Sequence, residues 1–207
     1  MFVSQHPNRL TDPLLGKMWK TKSARFNAHA RLKSKHWLST AATSLLAFYL
    51  VIASLVLLVY ESSLPSGGSK FLSVISLVIS IFLIIITLLE SAKNYSGEAD
   101  RMHKCALEIS ELYNRFQAMT LDEADAQRVA LNDEYSGILK THEINHKDID
   151  FLRFQLSFNR DLGMGGGDLF LSILRYCLLW LTEYILYILL VIAPPVVAFI
   201  YWYRLEV

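Results

Sequence analysis

The sequence predicts an all-α integral membrane protein: a transmembrane helical hairpin, a third C-terminal apolar helix and a cytoplasmic helical bundle. The first observation behind this is three runs without Asp, Glu, Lys or Arg: Leu38–Tyr60, Phe71–Leu89 and Tyr184–Tyr203. At 1.5 Å rise per residue each covers the ~30 Å hydrocarbon slab of a bilayer. The second is composition: 53% of the 207 residues are apolar and the mean hydropathy is +0.33. The third is helical periodicity in the charged stretch between the second and third runs. The polar remainder is too small for a large enzyme domain plus a regulatory one.

The net charge of +1 hides an asymmetry: residues 1–38 hold eight Lys/Arg against one acid, Asp12, whereas residues 91–161 hold nine basic residues against thirteen acids. Residues 1–38 read as a cytoplasmic basic amphipathic arm, with Trp19, Phe26, Ala30 and Trp37 near one face. Lys17, Lys20, Lys22, Arg25, Arg31, Lys33 and Lys35 form its membrane-surface basic set. By the positive-inside rule they place the N-terminus in the cytoplasm. The arm lies on anionic lipid or against the cytoplasmic bundle; simple positive flanking of a span is the plainer alternative. The first apolar run starts too late and is too long for a signal peptide, so it is expected to remain as an anchor.

Spans one and two, about 39–60 and 71–89, are expected to form an antiparallel hairpin. The loop Glu61–Lys70 between them is short, with a turn over Ser62–Ser69. No loop signal follows Leu89, so span two is expected to continue as one long helix into a cytoplasmic domain at 91–162. Ala99, Met102, Ala106, Ile109, Tyr113 and Phe116 alternate spacings of three and four, a heptad seam. Thr120-Leu121-Asp122-Glu123 is a capping box. It opens a second helix with a seam of Leu121, Ala124, Leu131, Tyr135 and Ile138, interrupted by Arg128. A short third helix at about 148–161 and a glycine-rich linker at 163–168 lead to the C-terminal segment 169–207, whose span is about 184–203. Pro194-Pro195 is expected to kink that span, and Glu183 lies within or at the edge of it.

On span two, Ser73, Ser76, Ser80 and Thr87 fall on one helical face, and Glu90 continues the line to the cytoplasmic rim. On span one, Thr43, Ala47 and Ser54 follow a similar line, with Glu61 beyond. Thr43, Ser54, Ser73, Ser76, Ser80, Thr87 and Glu90 are therefore pore-lining candidates. Close helix packing is the commoner cause of such a stripe, and an assembly of several copies accommodates both readings.

His142-Glu143-Ile144-Asn145-His146 spells HExxH, which in zinc proteases places two metal-ligating histidines on one helical face with the Glu as base. Lys140, Lys147 and Asp148 are out of place in such a site, and no third ligand is evident. Asn145, His146 and Asp148 instead read as the residues that cap and close a turn. The two cysteines, Cys105 and Cys177, suit neither a disulfide framework nor a thiolate zinc site. The glycine run lacks the strand and Gly-Lys-Ser/Thr ending of a phosphate loop. No cofactor or metal is expected, and no direct nucleic-acid binding.

Residues 22–33, from Lys22-Ser23-Ala24-Arg25 to Arg31-Leu32-Lys33, lead into a two-span hairpin. Beyond it come Tyr135-Ser136-Gly137-Ile138-Leu139 and Asn145-His146-Lys147-Asp148-Ile149-Asp150-Phe151. This order of features, over about residues 15–160, resembles the SLATT family. Its members are two-transmembrane effector domains found beside bacterial nucleotide-signalling and reverse-transcriptase conflict systems. The resemblance implies an oligomeric pore-forming or membrane-disrupting effector that halts or kills a phage-infected cell. It further implies that Asn145-His146…Asp148 is a family turn motif. The expected partners are the lipid bilayer, further copies of the chain and a cytoplasmic sensor or reverse-transcriptase partner. A non-conducting membrane adaptor that recruits a cytoplasmic partner is the alternative, and a zinc protease using His142, Glu143 and His146 is a third reading.

Overall fold

The computed structural model describes residues 7–60 and 66–206. Residues 61–65, with Glu61, lie outside the described residues, as does Val207. Six α-helices and no strand occur among the described residues: α1 (Pro13–Tyr60), α2 (Ser66–Ala92), α3 (Tyr95–Ala118), α4 (Leu121–His142), α5 (Asp148–Ser157) and α6 (Gly166–Glu206). Three of them, α1, α2 and α6, are long and apolar enough to cross a bilayer. Two compact units result, one of residues 1–34 and 95–181, the other of residues 35–94 and 182–207.

The first unit is a bundle built on the start of α1, α3, α4 and α5. Asp12 caps α1: its Oδ1 accepts from the backbone N–H of Leu14 (2.9 Å) and Leu15 (3.0 Å). Pro13 sits at the first helical position, where a missing N–H costs nothing. Arg128, the exception in the α4 seam, donates to the other Asp12 oxygen at 2.8 Å. Gly16 is required by close approach, since a Cβ there would meet the Arg9 carbonyl oxygen at 2.9 Å. The α3 seam is buried throughout. Its Ile109 and Phe116 join Leu15, Met18 and Trp19 of α1, Leu131 and Tyr135 of α4 and Phe154 of α5 in one core. Within it Trp19 meets Phe154 and Phe158 edge-on, at 4.9 and 5.0 Å. The capping box forms: Thr120 accepts from the Glu123 N–H, and the Glu123 carboxylate accepts from the Thr120 N–H at 2.9 Å.

In the second unit the apolar residues of the long helices are largely exposed, among them Leu58 of α1, Leu88 of α2 and Phe199 of α6. A bilayer gives such surface the apolar medium that water denies it. Its small buried cluster is Ala42 of α1 with Tyr184 and Tyr187 of α6.

Three expectations are corrected. Span two does not run on as one helix: α2 ends at Ala92, and Asn94 takes a left-handed backbone (φ 45°) before α3 begins. Asn tolerates that conformation because its short side chain bonds locally. The first interhelical loop is shorter than Ser62–Ser69, since Ser66, Gly67, Gly68 and Ser69 belong to α2. The glycine linker is likewise partly helical. Gly163 supplies a positive φ of 63° in a turn, but α6 opens at Gly166, and the Leu169 N–H donates to the Gly165 carbonyl at 2.9 Å.

Candidate functional site

Two polar clusters stand out, one in each unit. In the first unit, segments far apart in the chain converge on Asp150, which is 1% exposed. Arg31 forks onto it, Nε to Oδ1 at 2.8 Å and Nη2 to Oδ2 at 3.0 Å. The same carboxylate accepts from the Lys147 N–H at 3.0 Å, and so opens α5. Asn27 donates to the Asp150 carbonyl at 3.1 Å. Two turns earlier on α1, Arg25 is buried, donating to the Cys105 sulfur and, at 2.9 Å, to the Ile144 carbonyl. Thr21 and the Tyr135 hydroxyl share a hydrogen bond of 2.8 Å. The motif stretches 22–33, 135–139 and 145–151 thus meet in one place.

Arg25 and Arg31, grouped by sequence with the membrane-surface basic residues, are turned into this bundle. A buried guanidinium needs its donors used, and α3, α5 and the α4–α5 connection use most of them. Lys22 lies 3.7 Å over the Tyr113 ring, and burial with the nearby Arg9 lowers its pKa. Lys17, Lys20 and Lys33 are exposed. Lys35 is paired with Glu183.

The turn residues are placed differently from expectation. The α5 cap is the Lys147 backbone with Asp150 as its third-position partner, and α4 closes through a left-handed Glu143 (φ 46°). Asn145 is exposed, and Asp148 pairs with Arg175 at 3.0 Å. Because α4 ends at His142, His142 and His146 do not share a helical face. His142 instead lies 3.0 Å from Glu108. Among the described residues no three His, Cys, Asp or Glu side chains are grouped to hold a metal ion.

His146 is half-buried beside Phe151. Burial lowers its pKa, opposed by Asp150 and Asp148 and reinforced by Arg25. At neutral pH it is uncharged folded or unfolded. As pH falls through the unfolded value of about 6.5, the unfolded chain takes up the proton first. The first unit is therefore expected to lose stability on acidification from pH 7 to 5.5. His146→Phe should flatten that part of the pH dependence of the melting temperature.

In the second unit the cluster joins three helices. Glu90, at the end of the α2 hydroxyl line, is 8% exposed. It accepts from the Tyr187 hydroxyl of α6 at 2.5 Å and from Lys93 at 2.5 Å, and Ser39 of α1 also donates to it. One turn before Ser39, Lys35 forms an ion pair with Glu183, one turn before Tyr187. The pairs Lys35/Ser39 and Glu183/Tyr187 are each spaced i, i+4, so each lies on one helical face. Two polar rungs thus tie α1 and α6, the second holding Glu90 of α2 as well. The sequence marked Glu183 as an interruption of an apolar segment and Glu90 as the cytoplasmic end of the hydroxyl line. It carried no signal for Lys35, Ser39 or Tyr187 as their partners.

Thr43, Ser54, Ser73, Ser80 and Thr87 each donate to a carbonyl four residues back on their own helix. Each donor is satisfied without a partner helix, leaving the oxygen's lone pairs for water or a neighbour. Ser54, Ser73 and Thr87 are exposed; Thr43, Ser76 and Ser80 are intermediate.

No curated protein and no solved structure matches the chain. A family model, that of the SMODS and SLOG-associating 2TM effector domain family 5, matches residues 9–201.

Proposed function

Because the chain belongs to the SMODS and SLOG-associating 2TM effector domain family 5, whose setting is bacterial conflict systems, we propose that it is a membrane-permeabilising effector. In this reading several copies assemble in the bacterial inner membrane with the N-terminus cytoplasmic. The first unit receives a signal from a cytoplasmic sensor, a nucleotide-signalling or reverse-transcriptase partner. The spans respond by opening a conducting path that arrests or kills the infected cell. The output is a collapsed ion gradient, not a chemical product.

The observation that supports this most is the polar line on α2. Ser73, Ser76, Ser80 and Thr87 run down an otherwise aliphatic helix to Glu90, which α1 and α6 grip from their own polar faces. Hydroxyls leading to a carboxylate give water and cations a path in an assembly. A toxic path has to stay shut until triggered, so a two-state element is needed. The Glu90–Tyr187–Ser39 and Lys35–Glu183 rungs are suited to holding the shut arrangement. Replacing Ser76 and Ser80 with Leu is expected to abolish triggered conductance while leaving membrane insertion and expression unchanged. Whole-cell currents equal to those of the parent chain would reject the hydroxyl line as the lining.

A further inference from the structure

Before its second-unit portion, α6 carries a face that none of these roles uses. Within 166–181 the half-buried positions are Leu169, Ser172, Tyr176 and Leu179, spaced three and four apart, as on a helix laid against its own bundle. On the opposite side Leu171, Leu174, Leu178 and Leu181 repeat that rhythm, exposed by 63, 48, 57 and 44%. Two positions separate the two rows, which on a helix is about half a turn.

One crossing of the bilayer does not take up the whole of α6. The apolar stretch from Leu169 to Tyr203 extends roughly 50 Å at 1.5 Å per residue, against ~30 Å of hydrocarbon, so one end of it lies outside the slab. With Tyr184–Tyr203 as the span, that end is the Leu171–Leu181 portion, which Asp168 precedes and Arg175 interrupts. The seam with Phe170 beside it presents on the order of 500 Å² of apolar surface, the size of the largest patch on a typical monomer, often a functional one, and over half of the ~800 Å² each partner gives a stable complex. Leucine at every position of a 3-4-3 repeat is the pattern a coiled coil uses against a like helix. Arg175, 3.0 Å from Asp148, keeps the edge of the seam charged.

We propose that this leucine seam is a contact between copies of the chain, α6 of one copy packing in parallel against α6 of a second. The parallel sense follows from both copies entering the membrane in one orientation. The inference rests on the oligomeric reading above and names its surface.

Cysteine cross-linking of the full chain in native membranes tests it. In a Cys177→Ser background, with Cys105 left buried, single cysteines replace Leu174 and Leu178 on the seam and Ile173 and Trp180 off it. Mild oxidation is expected to convert Leu174→Cys and Leu178→Cys to disulfide-linked dimers at least tenfold more efficiently than Ile173→Cys and Trp180→Cys. Equal linkage at all four positions, or none on the seam, overturns the proposal. The mass of the parent chain in nanodiscs separates the two claims. A multimer without seam cross-links overturns this interface and leaves the oligomeric reading standing; a single copy with no cross-links overturns both.

Discussion

Asp150→Ala is expected to be the most damaging single substitution in the first unit. It strands the Arg31 guanidinium in a buried site, removes the acceptor that opens α5, and loosens the meeting point of α1 with the α4–α5 connection. Breaking a buried pair from one side costs about 3–5 kcal/mol, because the surviving charge loses its buried counter-charge. For a unit of this size that is roughly a 10–20 °C fall in melting temperature. Arg31→Met in the same chain removes the stranded charge and should recover much of the loss. Circular dichroism melts of the full chain in detergent read both. If the single variant melts with the parent, Asp150 does not hold the unit together.

The second large effect is expected in the spans. Glu90→Ala removes the acceptor that the Tyr187 hydroxyl, Ser39 and Lys93 share. A buried polar group deprived of its partner costs about 1–3 kcal/mol, more where a charge is involved. Taking about 3 kcal/mol as a bias against the shut arrangement shifts a shut-to-open equilibrium by roughly a hundredfold. Cells expressing Glu90→Ala without any trigger should therefore lose membrane potential and grow poorly. Tyr187→Phe, which removes one hydrogen bond and keeps the carboxylate, should do so more mildly. Growth and potential equal to the parent in both would separate the Glu90 cluster from the resting state.

What the sequence made legible follows from how local each signal is. The three apolar runs appear as helices that contain them, because absence of charge over some twenty residues is read directly from composition. The α3 seam and the Thr120–Glu123 box were equally readable, since both depend on spacings of three and four within one helix. Asp150 was not: its partner Arg31 lies 119 positions away, and no periodicity links them. Charge alone placed Arg25 and Arg31 with the surface lysines, when the alternation of buried and exposed positions along α1 turns them inward. The grip of Tyr187 and Ser39 on Glu90 depends on how three helices meet, which a chain of uncharged residues does not encode locally. The break at Asn94 rests on a single left-handed residue and left no signal in composition.

Beneath the site-by-site expectations is one claim, that the triggered protein lets ions through the membrane. Its most direct test is the membrane potential of cells carrying the chain with the sensor proposed to trigger it, followed by a voltage-sensitive dye as the trigger is applied. The account predicts depolarisation that precedes growth arrest and is absent in the Ser76→Leu/Ser80→Leu chain. Arrest with the potential intact would contradict it and leave the non-conducting adaptor in its place.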